Sequence, residues 1–204
     1  MNNIPLYFDD DQINDYSGSF KKGWKKLVKV LVYRERHPDV NQMNWLNQYR
    51  IEKAIDYFNK CVLAYPRSWS SMWGLGKAYQ AMGDHSRALE WFEKTYLLKP
   101  DLVDVPLEAS TEAMRIGNAS KALRYAEVAL SLDRHNPDFR ANLALALYLN
   151  HKSDAALEEA RNGLKLAPNN NQIQKVLFYL EKLNNKSASI PVTIDPVRIY
   201  RGQI

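Results

Sequence analysis

The sequence predicts an all-α chain: an α-solenoid of about four helix–turn–helix repeats, followed by a C-terminal capping helix. Three observations predict it. Residue types recur with a period of 34. Ala54, Ala88, Ala122 and Ala156 share one register, and Pro66, Pro100 and Pro168 share another, with Arg134 in the remaining slot. Phe58 and Phe92 are followed by Ala126 and Ala160, and Gly83 and Gly117 by His151. Within one period, apolar residues fall at helical spacing. Met72, Leu75, Tyr79 and Met82 make one stripe, and Ala88, Leu89, Phe92 and Tyr96 the next, with Gly83-Asp84 breaking the chain between them. Only 8 glycines in 204 residues argue against a turn-rich β fold.

The elements follow in order. Residues 1–19 are an acidic, aromatic arm; the first 20 positions carry four Asp and no base. Residues 21–36 reverse the sign, with seven bases against Glu35. The other 168 residues sum to only +3 of the chain's +5, so the basic character belongs to one short segment. That segment is predicted helical from about Phe20 to Arg36. Trp24, Leu27, Val28, Leu31 and Val32 recur at three- and four-residue steps beside Lys21, Lys22, Lys25, Lys26 and Lys29. It stands in for the first helix of repeat 1 (about residues 20–68), because counting back from Ala54 puts His37-Pro38-Asp39 where that helix should begin. Met43 to Ala64 reads as one lengthened helix. Repeats 69–102, 103–136 and 137–170 follow, the second with a degenerate first helix in which Ala109, Ser110 and Ala113 replace larger residues. Asp104 is placed to cap that helix and Pro106 to sit in its first turn. Small residues at 76, 88, 110, 122, 144 and 156 let paired helices approach closely. Residues 171–183 put Ile173, Val176, Leu177, Leu180 and Leu183 on one face, as a capping helix requires. In the tail, 184–204, the stretch from Ile190 to Tyr200 alternates apolar and polar residues around two prolines. It reads as an extended segment lying along the repeats or on a partner, with a disordered terminus as the alternative.

The unit from Trp69 to Leu102 reads Met72-x-x-Leu75-Gly76-x-x-Tyr79, Gly83-Asp84, Ala88-x-x-x-Phe92 and Pro100. It resembles the tetratricopeptide repeat, with the usual Trp displaced by one to Trp73. The resemblance covers residues 49–170 and implies a right-handed superhelix whose first helices line a concave groove. By that resemblance the groove carries Trp73, Lys77 and Gln80, then Leu107, Thr111 and Arg115, then Asn142, Leu145, Tyr148 and Leu149. Trp73, Leu107, Leu145, Tyr148 and Leu149 would form an apolar track for a peptide or helix, unless they pack on a neighbouring helix or the chain's own tail. One subclass of the family clamps the C-terminal carboxylate of heat-shock chaperones with basic residues in successive first helices. Asp104 and Glu108 occupy those stations here, which argues against that use.

No constellation supports an enzyme, a metal or a cofactor. Cys61 takes the small-residue slot shared by Thr95, Ala129 and Gly163, and being single it excludes a disulfide within the chain. His37, His85, His135 and His151 all fall at inter-helix turns, without ligand spacing. No secretory signal is recognisable, and the apolar run Leu27–Tyr33 is short and interrupted by Lys29, so a cytoplasmic protein is expected. The functional expectation is a non-catalytic scaffold or adaptor for a protein or peptide. The alternatives are a chaperone dedicated to one client, as in bacterial secretion, and a regulator bound to nucleic acid or an anionic membrane through residues 21–36.

Overall fold

The computed structural model describes residues 18–36, 44–185 and 191–203. The acidic arm before Gly18 and the His37-Pro38-Asp39 stretch lie outside the described residues. Among the described residues every regular element is a helix, and the chain divides into two compact units, Met1–Lys99 and Pro100–Ile204.

The first unit holds α1 (Gly18–Arg36), α2 (Trp45–Ala64), α3 (Trp69–Met82) and α4 (His85–Leu98), each packed on the next, with α1 also against α3. Phe58 of α2 occupies a slot between two glycines. A Cβ on Gly74 would stand 2.7 Å from its ring, and one on Gly23 3.0 Å. One repeat later, a Cβ on Gly76 would stand 2.5 Å from the Phe92 ring. The phenylalanine register therefore reports helices brought close enough that only a hydrogen fits opposite the ring. Cys61 and Thr95, in their shared slot, are both buried. Burial pushes the Cys61 thiol up, partly offset by a hydrogen bond from Ser71, so the thiolate is disfavoured.

The second unit holds α5 (Asp104–Arg115), α6 (Ala119–Leu132), α7 (Pro137–Leu149), α8 (Ser153–Leu166), α9 (Asn171–Asn185) and α10 (Pro196–Tyr200). The hairpins α5–α6 and α7–α8 stack through α6–α7 and α5–α7, and α9 closes on α7 and α8. The buried face of α9 is Ile173, Val176 and Leu180. Asn170 caps it, its Oδ1 accepting from the Gln172 and Ile173 amides.

Three hairpin turns share one construction. Gly83, Gly117 and His151 take positive φ of 86, 74 and 60°. In each turn the next amide donates five residues back: Asp84 to Tyr79, Asn118 to Ala113, Lys152 to Leu147. This is the Schellman closure, in which the left-handed residue turns the chain out of the helix. In the first two turns the side chain that follows caps the next helix, Asp84 accepting from the Arg87 amide and Asn118 from the Lys121 amide. Lys152, in the third, makes no such cap.

Two local expectations are corrected. Asp104 does not cap α5. It opens the helix, and the cap position falls to Val103, whose side chain has nothing to offer the exposed amides. The carboxylate still stands in the first turn, where the helix dipole favours it. In the tail, Pro196–Tyr200 is not extended but one short helix. Asp195 caps it through the Val197 amide at 3.1 Å, and Pro196 takes the first turn, where its missing N–H is no loss.

Candidate partner-binding face

In the first unit, α3 places Trp73, Lys77 and Gln80 one turn apart along one side. Trp73 is only 8% exposed. Its ring lies 5.3 Å from that of Trp24, in a cluster where Trp24 also meets Phe58 at 5.6 Å and Phe20 at 6.3 Å. So Trp73 is packed by α1, while Lys77 and Gln80 remain half-buried. The fully buried stripe of α1 is Phe20, Trp24, Leu27 and Val30, with Val28 and Leu31 half-buried at its margin. Lys21, Lys22, Lys25 and Lys29 are exposed on the other side and Lys26 is half-buried.

In the second unit, α5 carries Leu107, Thr111 and Arg115, and α7 carries Asn142, Leu145, Tyr148 and Leu149. Leu107 is half-buried; Thr111, Asn142, Leu145, Tyr148 and Leu149 are buried. A polar network lies beneath. The Ser110 hydroxyl is within hydrogen-bond reach of the Ala122 carbonyl at 2.9 Å and of Asn142 Oδ1 at 2.7 Å, and Asn142 Nδ2 donates to Thr111 Oγ1 at 3.3 Å. Ser110 occupies the slot that holds Gly76 and Ala144 in the neighbouring repeats. Its hydroxyl fits because the adjacent helix and repeat supply acceptors.

The tail lies on this unit. The Ile194 amide donates to the Met114 carbonyl at 3.1 Å, at the C-terminal end of α5. Arg115 Nε donates to Asp195 Oδ1 at 3.0 Å, while its Nη1 donates to the buried Glu112 at 2.7 Å. Burial works against the Arg115 charge, but Glu112 and Asp195 outweigh it, and the guanidinium is held firmly protonated. Further along, Lys175 Nζ of α9 donates to the Tyr200 carbonyl at 3.0 Å. The Tyr200 hydroxyl is buried, with the Asn142 and Gln172 side chains facing it. Burial drives that phenol far above its ordinary range. Ile194, Pro196 and Ile199 are buried, whereas Val192 is 82% exposed. The tail thus runs over α5, α7 and α9, the first helices of this unit and its capping helix.

Of the residues on this face, Arg115 and Asn142 are expected from the resemblance to line the groove; Arg115 bonds Asp195 of the tail, and Asn142 stands near Tyr200. Ile194, Asp195, Tyr200, Gln172 and Lys175 are not expected from it. The signal available for them was Asp195-Pro196 as a helix start, hidden within an alternating stretch.

Residues 46–101 and 107–171 match the tetratricopeptide repeat family model. The chain belongs to the tetratricopeptide repeat family. No curated protein is matched by the sequence. Solved TPR structures resemble it in fold. MamA shares 18% identity over 78% of this chain and 92% of its own, with a TM-score of 0.61. YrrB, a TPR protein with an unusual peptide-binding site, shares 15% over 76% and 78%, with a TM-score of 0.59. TTC0263, a thermophilic TPR protein in Thermus thermophilus, shares 17% over 82% and all of its own chain, with a TM-score of 0.54. Among the described residues no helix is long and apolar enough to cross a membrane, and no group of His, Cys, Asp and Glu is arranged to hold a metal.

Proposed function

We propose that this TPR protein is a non-catalytic scaffold or adaptor that seats a peptide or short helix of a protein partner on the first-helix side of its repeats. The observation that carries the reading is the tail itself. The face built from α5, α7 and α9 receives a segment that arrives extended and ends in a single helical turn, using backbone, charged and apolar contacts together. A face able to hold one such segment has the chemistry to hold another. The peptide-binding site of the fold neighbour YrrB supports the same class of use. Lys77 and Gln80 in the first unit, and Leu107, Thr111 and Arg115 in the second, are the contact residues proposed, with Asn142, Leu145, Tyr148 and Leu149 forming the floor. The lysines of α1 add a positive surface that speeds the approach of an acidic partner.

The test is affinity capture with the full chain, comparing wild type with Lys77→Glu and Leu107→Asp, each checked for an unchanged helical signal. Specific proteins retained by wild type and lost from Leu107→Asp, which reads the second unit, or from Lys77→Glu, which reads the first, are expected. An identical retained set from all three would sink the reading.

A further inference from the structure

We propose that residues 191–203 are an internal stand-in for the partner, so that the α5–α7–α9 face selects peptides with the tail's chemistry and accepts them only when the tail has left. This rests on the scaffold reading above and names the ligand class. The ligand is a protein segment with an aliphatic residue, then an acidic one, then a helical turn ending in an aliphatic residue and a tyrosine. In this chain that pattern is Ile194-Asp195-Pro196-x-x-Ile199-Tyr200.

Each position of the pattern has a counterpart. Ile194 is buried, and its amide takes the Met114 carbonyl, which fixes the register of an extended backbone. The acidic position meets Arg115 through Nε, the edge that Glu112 leaves open. A planar guanidinium fork held by one carboxylate on its own helix is pre-oriented for a second. Asp195 also caps the turn that follows, so one carboxylate both pairs and shapes the ligand. Ile199 is buried, and the Tyr200 hydroxyl is buried opposite Asn142 and Gln172. The tyrosine position is therefore selected by its fit in a buried site, since Asn142 is already bonded to Ser110 and Thr111.

The tail is also built to leave. The hairpin closures and caps of α5–α9 described above are made within the repeats, and none of them uses a residue of 191–203. Among the described residues its hold is one backbone hydrogen bond, one ion pair and one lysine–carbonyl bond, around Ile194, Pro196, Ile199 and the buried Tyr200 hydroxyl. Such a short segment binds weakly on its own. Tethered, it acts at an effective concentration on the order of millimolar. A competing peptide then sees an affinity reduced by the fraction of molecules whose face is open.

The test uses full-length protein and a fluorescent synthetic peptide of residues 190–204, read by anisotropy. A tail-released chain, Ile194→Asp with Asp195→Lys, should bind the peptide at least about tenfold more tightly than wild type. A peptide carrying Asp195→Asn, which keeps the capping oxygen but loses the charge that meets Arg115, should bind the released chain at least about tenfold more weakly. Ile199→Asp is a second release variant, and an unchanged helical signal keeps both readable. No binding to either released chain overturns the proposal, as does equal binding to wild type and released chains. If wild type is instead a dimer that the peptide dissociates, the tail is an exchange arm between two copies, and the internal stand-in is overturned. Failure here with partner capture still sensitive to Leu107→Asp leaves the scaffold standing. Peptide binding with no captured partner does the reverse.

Discussion

In the first unit Trp73 of α3 is covered by α1, and in the second the side formed by α5 and α7 is covered by the tail. The coverings differ in kind. Helix α1 brings Phe20 and Trp24, whose rings interlock with Phe58 and Trp73 at centroid distances of 5.3 to 6.3 Å. Each such aromatic removes roughly 150–250 Å² from water. The tail brings Ile194, Pro196 and Ile199, with the Tyr200 hydroxyl buried beside them. One covering is a structural wall. The other has fewer large apolar side chains to set against the conformational cost of ordering it, so a competitor shifts it more readily. Placement of the polar groups agrees: the aromatic lock is mostly apolar, while the tail's seat contains Arg115, Lys175 and Asn142.

The contrast can be broken most directly at Trp24. Trp24→Ala should destabilise the first unit by about 3–5 kcal/mol, because the cavity faces Phe58 and Trp73 and cannot collapse. The denaturant midpoint reads this out, and a loss under about 1 kcal/mol would mean that α1 is not a wall. Arg115→Ala comes next, at about 2–4 kcal/mol, since Glu112 is fully buried and loses its guanidinium partner. Arg115→Lys should recover only part, because an ammonium cannot serve both carboxylates in the fork geometry.

A glycine pair then isolates the tail. Gly83 and Gly117 occupy the same turn position with similar φ, 86 and 74°. A Cβ at Gly83 meets nothing within 4 Å, whereas one at Gly117 would stand 2.8 Å from the Val192 carbonyl oxygen. Gly83→Ala should therefore cost only the left-handed backbone penalty, about 1–2 kcal/mol. Gly117→Ala should cost that and also dislodge the tail. Amide exchange at Ile194 is the discriminating measurement: it should quicken in Gly117→Ala and stay unchanged in Gly83→Ala. Equal exchange in both would place the tail's hold elsewhere.

The repeat register was readable because its determinants are local. The Phe58–Gly74 and Phe92–Gly76 contacts, the left-handed turns and the capping stripe of α9 all follow from spacing within one or two repeats. What escaped depends on chain segments outside that register. Trp73 occupies a position that lines the groove in this family, yet α1, which precedes residues 37–43 in the chain, covers it. The buried bond from Ser110 to Asn142 joins residues 32 apart, and no pattern distinguishes that serine from the glycine and alanine of the same slot. The tail's composition suggested docking without saying on what, because an alternating, proline-interrupted stretch suits the chain's own face and a partner's equally well. Its final helical turn was hidden for a related reason: five residues are too few for a period to show.

The smallest expected effects lie at the third turn, where the repeat departs from its own rule. Lys152 stands where Asp84 and Asn118 cap, with a backbone of φ −104 and ψ 58° against −88 and 80° at Asp84. Lys152→Asp should supply the missing acceptor for the first-turn amides of α8 and gain about 1 kcal/mol. His151 is left-handed at φ 60°, where a β-carbon is penalised. Glycine relieves that strain but adds disorder to the unfolded chain, so His151→Gly should gain only about 0.5–1 kcal/mol. Thermal melts of the two single variants and the double read both terms. The gains should add nearly in full, because the left-handed residue acts on the end of α7 and the cap on the start of α8. A destabilised His151→Gly would mean that the imidazole makes a contact at this turn worth more than the backbone strain it imposes.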